Sequence, residues 1–141
     1  MAVVIDACLP VALMTADPSQ GLVAARFQEW LTTGEDLVAP AVLPYEISNV
    51  LSRLVFDGTF DPGDVPRAWA DLLLLGIRLE PFDVALDGPQ VVSIAARLRR
   101  RQATDCAYIS LALRLSSVVW TIDGRLARAA QAEGLPVQLL A

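Results

Sequence analysis

Five short, mostly apolar stretches of this 141-residue chain are separated by segments of helical period. That alternation restricts the fold more than any other feature. The strand candidates are Val3 to Ile5, Leu37 to Ala39, Ile77 to Phe82, Val118 to Thr121 and Val137 to Leu140. The helical candidates are Gly21 to Thr32, Pro44 to Phe56, Pro62 to Leu75, Pro89 to Arg101, Thr104 to Leu115 and Arg125 to Glu133, with a short helical stretch after Cys8. A strand with one face in water alternates apolar and polar residues. A strand that is apolar throughout is buried on both faces, which requires helices above and below a mostly parallel sheet. The expectation is an α/β three-layer sandwich, helices around a central sheet of about five strands. No repeat, linker or low-complexity tract divides residues 1 to 141, and that length supplies one core, so a single domain is expected.

In such sheets, ligands gather outside the carboxyl ends of the strands. Asp6 in "VVIDACLP" and Asp123 in "VVWTIDGRL" stand directly after strand candidates. Two more acids lie in helices. Glu46 in "PYEISNVLSRLVF" borders the apolar stripe of Leu43, Ile47, Val50, Leu51 and Leu54, and Asn49 and Arg53 share that border. Asp105 in "TDCAYISLALRLS" points along the face of Ile109, Ala112 and Leu113, which should be buried.

Each acid alone has a simple explanation. All stand at or near helix starts, where a carboxylate accepts amide donors and meets the positive end of the dipole, worth about 0.5 to 2 kcal/mol. Four acids on one sheet edge are harder to explain that way. Two like charges about 4 Å apart repel by about 4 kcal/mol at an effective dielectric of about 20, and serine or threonine would cap without that cost. A divalent cation removes the repulsion, and hard oxygen ligands favour magnesium or manganese over zinc.

Absences narrow the chemistry further. There is no histidine, and all 11 basic residues are arginine. Histidine-dependent nucleophiles lose their base, histidine-bearing zinc sites lose ligands, and a P-loop loses its lysine. Cys8 and Cys106 share no spacing pattern, so neither a disulfide framework nor a thiolate metal site is indicated. Met1 leads straight into the first strand without a signal peptide, and no apolar run approaches the ~18 residues of a membrane span, so a soluble cytoplasmic protein is expected. An apolar fraction of 55% nevertheless suggests surface reserved for a partner or a second copy.

The order "VVIDA", "PYEISNVL", "TDCAYISLAL" and "VVWTIDGRL" closely resembles the PIN-domain ribonucleases, and among them the VapC toxins of bacterial toxin-antitoxin pairs. The resemblance spans the whole chain and implies a PIN-like fold. It implies that Asp6, Glu46, Asp105 and Asp123 hold Mg2+ or Mn2+ for hydrolysis of RNA phosphodiester bonds, leaving a 5′-phosphate and a 3′-hydroxyl. Asn49 matches an asparagine that often follows the glutamate by three residues, and Thr121 a hydroxyl that often precedes the last aspartate by two. Cys8 departs from the pattern, since many relatives carry serine, threonine or asparagine there. The implied partners are an RNA substrate, a VapB-like cognate antitoxin and a second copy of the chain in a homodimer.

A net charge of -5 repels RNA at long range, so affinity must be local. Arg97, Arg99, Arg100 and Arg101 precede Asp105, while Arg53 and Arg125 lie near two other acids in sequence. All six are candidates for phosphate contact, against the alternative of a solvated helix terminus. Trp30, Trp69 and Trp120 sit among apolar neighbours and are read as packing residues. "ADLLLLG" at residues 70 to 76, with Val65, Trp69 and "LVF" at 54 to 56, suggests a groove for an antitoxin helix, or ordinary core. Two other functions stay open: a PIN-fold module that binds protein or RNA without cutting, and an aspartate phosphoacceptor, which the missing lysine disfavours.

Overall fold

The computed structural model describes all 141 residues. Five strands, β1 (Ala2–Ile5), β2 (Asp36–Pro40), β3 (Arg78–Glu80), β4 (Val119–Thr121) and β5 (Val137–Leu139), alternate with seven helices. These are α1 (Cys8–Met14), α2 (Gln20–Thr33), α3 (Leu43–Phe56), α4 (Val65–Leu74), α5 (Asp87–Arg97), α6 (Thr104–Arg114) and α7 (Gly124–Ala132). The strands form one wholly parallel sheet in the order β3-β2-β1-β4-β5.

Alternation along β1 shows how the layers are built. Val3 and Ile5 pack with Leu9 and Ala12 of α1 and Val23, Phe27 and Trp30 of α2. Val4 faces the other way, into a larger core containing Ile47 of α3, Ile94 of α5, Ile109 of α6 and Leu126 of α7. Continuing the alternation, the residue after Ile5 points toward the α3 and α6 layer. Helix α6 is enclosed nearly all round, with Cys106, Tyr108, Ile109, Ser110, Leu111 and Ala112 buried. Leu113 is the exception to the face expected for it, and lies exposed.

Several boundaries differ from the sequence expectation for identifiable reasons. Helix α5 begins at Asp87 rather than Pro89, because a proline in the first turn lacks only an amide that the helix would leave unpaired. It ends at Arg97, and Arg99 then adopts a left-handed φ of 54°. The segment from Pro62 opens as a 3-10 turn over Pro62–Asp64 before α4 starts. β3 stops at Glu80, since Pro81 has no N–H for the ladder. The tryptophans pack: Trp30 meets Phe27 and Trp120 edge-on, with ring centroids 5.4 and 5.8 Å away, and Trp69 lies against the larger core. No helix is long and apolar enough to cross a membrane.

Candidate active site

The strand order reverses between β1 and β4: the chain runs outward through β2 and β3 on one side of β1 and through β4 and β5 on the other. A crevice forms where neighbouring crossovers part in opposite directions. Asp6 follows β1, and its amide donates to the Trp120 carbonyl at 3.1 Å, while Thr121 ends β4. The first and last of the four acids therefore lie at this switch point.

Asp6 is 7% exposed. Its Oδ2 accepts the Thr121 hydroxyl at 2.6 Å and the Cys8 thiol at 3.0 Å. Thr121 has one proton, given to Asp6, and its oxygen accepts the Asp123 amide at 2.9 Å. The hydroxyl thus couples the first aspartate to the last. Cys8 Sγ likewise accepts the Ile122 amide at 3.4 Å, so the cysteine occupies the position of a polar residue and makes its contacts. Both side-chain donors reach Oδ2, and Asp6 Oδ1 receives none. Burial pushes the Asp6 carboxyl above its ordinary pKa, opposed by the Thr121 and Cys8 bonds and, more weakly, by the Ala7 amide, and reinforced by the Asp105 charge. Burial beside that carboxylate also pushes the Cys8 thiol up, which leaves it protonated and poorly nucleophilic.

The other acids come from three helices. Glu46 sits in the first turn of α3, where its Oε1 accepts the Tyr108 hydroxyl at 2.5 Å. Burial raises its pKa against that bond, and the charges of Asp6 and Asp105 raise it further. Asp105, in the first turn of α6, pairs through Oδ2 with Arg100 Nη1 at 2.8 Å. Asp123 caps α7, its Oδ1 accepting the Arg125 and Leu126 amides at 3.0 and 3.1 Å. Capping therefore accounts for Asp123; Asp6 makes no side-chain cap to α1, and neither Glu46 nor Asp105 caps its helix.

Asp6, Glu46, Asp105 and Asp123 line one cleft of about 490 Å³, together with Asn49 and Arg53. Each is turned toward its own protein donor, and no three acidic or thiol groups close on a single point. The donor set still suits a hard cation: it is carboxylate throughout, and the Asp105 charge raises the pKa of Asp6 and, together with Asp6, that of Glu46. Asp6 Oδ1 in addition has no side-chain partner.

The six arginines separate by partner. Arg97 is held by the Glu133 backbone and side chain, and Arg100 by Asp105. Arg53 enters the acidic cleft, Arg99 and Arg125 line a neighbouring cavity, and Arg101 is exposed outside both. Tyr108 is the site residue that sequence reasoning misses. Its only signal is a hydroxyl three positions beyond Asp105 on a helix otherwise apolar there, and buried tyrosines usually find a partner for the O–H. Gln102 and Thr104 also line the cleft.

A family model described as PIN domain matches residues 3–132. Among curated proteins, none matches the chain at a significant level.

Proposed function

The chain belongs to the PIN domain family, whose members are generally metal-dependent nucleases, and from that premise we propose that it is an endoribonuclease, the VapC-type toxin of a type II toxin-antitoxin pair. The observation that carries the reading is Asp6. It is a nearly dry carboxylate at the switch point of a parallel sheet, with other acids as its charged neighbours and one oxygen that no side chain donates to. A buried charge without a counter-charge is costly, and a cation in the cleft is the natural remedy.

Asp6, Glu46, Asp105 and Asp123 would hold Mg2+ or Mn2+, which when bound supplies an acidified water and neutralises phosphate charge. The chain's own residues prepare the cleft for it. Thr121 and Cys8 fix the Asp6 carboxylate so that one oxygen faces outward. Tyr108 holds Glu46, and Arg100 is the counter-charge that Asp105 must release to turn inward. Asn49 and Arg53 stand in the cleft wall, where an amide and a guanidinium suit phosphate oxygens.

A groove of about 300 Å³ supports an antitoxin partner. Leu43, Trp69, Leu72, Leu73 and Ile77 are among its lining residues, and Leu73 and Leu74 are 82% and 80% exposed. An amphipathic helix of a VapB-like protein would cover such a surface. The surplus of exposed apolar residues also supports a homodimer, working in the cytoplasm.

A second reading, a PIN-fold module that binds without cutting, draws support from the Arg100–Asp105 ion pair, which occupies one proposed ligand. Incubating purified, partner-free protein with total cellular RNA separates the two. Under the nuclease reading, discrete fragments appear with magnesium or manganese and vanish with EDTA and in Asp6→Asn and Asp105→Asn. Intact RNA from folded, metal-binding protein would move the assignment to the binding module.

A further inference from the structure

Helices α2, α3, α4 and α7 are each followed by a glycine with positive φ, at Gly34, Gly58, Gly76 and Gly134. Only glycine takes that conformation without a clash between Cβ and the backbone. Helix α5 closes in the same way, with the Arg99 amide donating to the Ala96 carbonyl at 3.2 Å and the Arg100 amide to the Ala95 carbonyl at 2.9 Å. Yet the left-handed residue there is Arg99, at φ 54°. The other exception, Ser116 after α6, has a short side chain. A long cation in a strained position that glycine fills elsewhere in this molecule is a reason to ask what it reaches.

Arg99 is exposed and lines a cavity of about 430 Å³ with Leu98, Arg100, Asp123, Arg125 and Ala129. Asp123 also lines the acidic cleft, so the two cavities adjoin. Of the three arginines, Arg100 is committed to Asp105. Neither the Arg99 nor the Arg125 guanidinium forms an ion pair with a carboxylate. Two unpaired guanidiniums in one cavity call for an anion, and phosphate suits their planar fork. The chain as a whole is acidic, so a polyanion reaching the acid cluster needs a local cationic hold beside it.

We infer that Arg99 and Arg125 form a binding subsite for a backbone phosphate of single-stranded RNA, next to the phosphate that faces the acidic cluster. This rests on the nuclease reading but can fail separately from it. The contact is to backbone and not to a base, so it adds affinity and direction without sequence preference.

The test uses a fluorescently labelled, mixed-sequence single-stranded oligoribonucleotide in EDTA, titrated with full-length wild type, Arg99→Gly, Arg125→Ala and Arg67→Ala from low salt upward. Arg67 is an arginine of α4 outside both cavities. Arg99→Gly should melt no lower than wild type, because it removes a strained residue. It should nevertheless bind about tenfold more weakly, the loss of one charge-assisted contact, with the slope of log K against log salt shallower by about 0.7. Arg125→Ala should weaken binding and slope alike, and Arg67→Ala should leave both unchanged. Wild-type affinity and slope in both Arg99→Gly and Arg125→Ala overturn the subsite, even if the protein proves to be a nuclease. Should RNA binding depend on both arginines while magnesium or manganese never elicits cleavage, the subsite stands and the nuclease reading falls. A wild type that binds no RNA in EDTA overturns the subsite, while cleavage with magnesium or manganese still decides the nuclease reading.

Discussion

Two aspartates in this molecule are almost equally hidden, Asp87 at 3% exposure and Asp6 at 7%, yet their surroundings push them in opposite directions. Burial opposes the charge at Asp87, but the Ser110 hydroxyl at 2.7 Å, the Asp83 amide at 2.9 Å and Arg114 at 3.1 Å outweigh it, and its pKa is lowered. Asp6 receives two side-chain donors but no cation, its charged neighbours are acids, and its pKa is raised. The first is a finished structural unit that ties α5 to α6. The second has no counter-charge, and a buried carboxylate in that state is what the proposed metal site would require rather than what a strut would.

The largest expected effect breaks the comparison on the functional side. Asp6→Asn should lower RNA cleavage by at least about a hundredfold, since several kcal/mol of transition-state stabilisation depend on a correctly held metal. The same variant should melt higher than wild type without metal, because it removes a charge that burial disfavours. Magnesium or manganese should raise the wild-type Tm and leave that of the variant unmoved. A variant that melts lower than wild type in EDTA would contradict the account of Asp6. Asp87→Ala should do the reverse. Stranding Arg114 should cost about 3 kcal/mol, seen as a fall in Tm of roughly 6 to 12 °C, while cleavage per folded molecule is unchanged.

The comparison also explains what was legible in the sequence. The parallel sheet follows from five mostly apolar runs set between helical segments, although Arg78 and Glu80 break the pattern in the exposed edge strand β3, and Asp6 and Asp123 stand out as acids just after such runs. Asp105 stood out as an acid on an apolar face of α6. Asp87 did not, since it precedes Gly88 and Pro89 in what reads as a loop, and its partners Ser110 and Arg114 lie more than twenty residues away. Tyr108 was hidden similarly, because its hydrogen bond to Glu46 crosses 62 residues of chain. Local signals reveal that a residue is out of place; the partner that accounts for it is a tertiary fact. The arginine run gave the reverse difficulty, since side chains adjacent in sequence reach different partners once Arg99 turns the chain.

Acid titration sharpens the contrast at smaller amplitude. Asp87 has a folded pKa below its unfolded value, so its stabilisation is complete above about pH 4 and is lost as pH falls through the folded value. Asp6 has the opposite sign: relative to the unfolded chain it favours folding only while protonated, and that contribution is lost as pH rises through its folded pKa. Metal-free melting from about pH 3 to 8 should therefore show the Asp87→Ala deficit shrinking toward the acid end. The Asp6→Asn advantage should shrink there too, because the native carboxyl becomes neutral. Parallel curves for wild type and either variant would break the assignment for that residue.

The smallest effect concerns Cys8, the one position in the cluster that departs from the family resemblance. Its thiol donates to Asp6 and accepts from Ile122, which is what a serine hydroxyl would do with a shorter reach and a stronger bond. Cys8→Ser should therefore preserve cleavage within about threefold, less than the tenfold that corresponds to 1.4 kcal/mol. The variant should lower the Asp6 pKa, since a better donor favours the charged form. Cys8→Ala removes the donor and should raise that pKa and weaken metal binding, leaving Thr121 as the only side chain that orients the carboxylate. If serine costs as much as alanine, the sulfur fills space beside Asp6 rather than holding it, and the orienting role belongs to Thr121 alone.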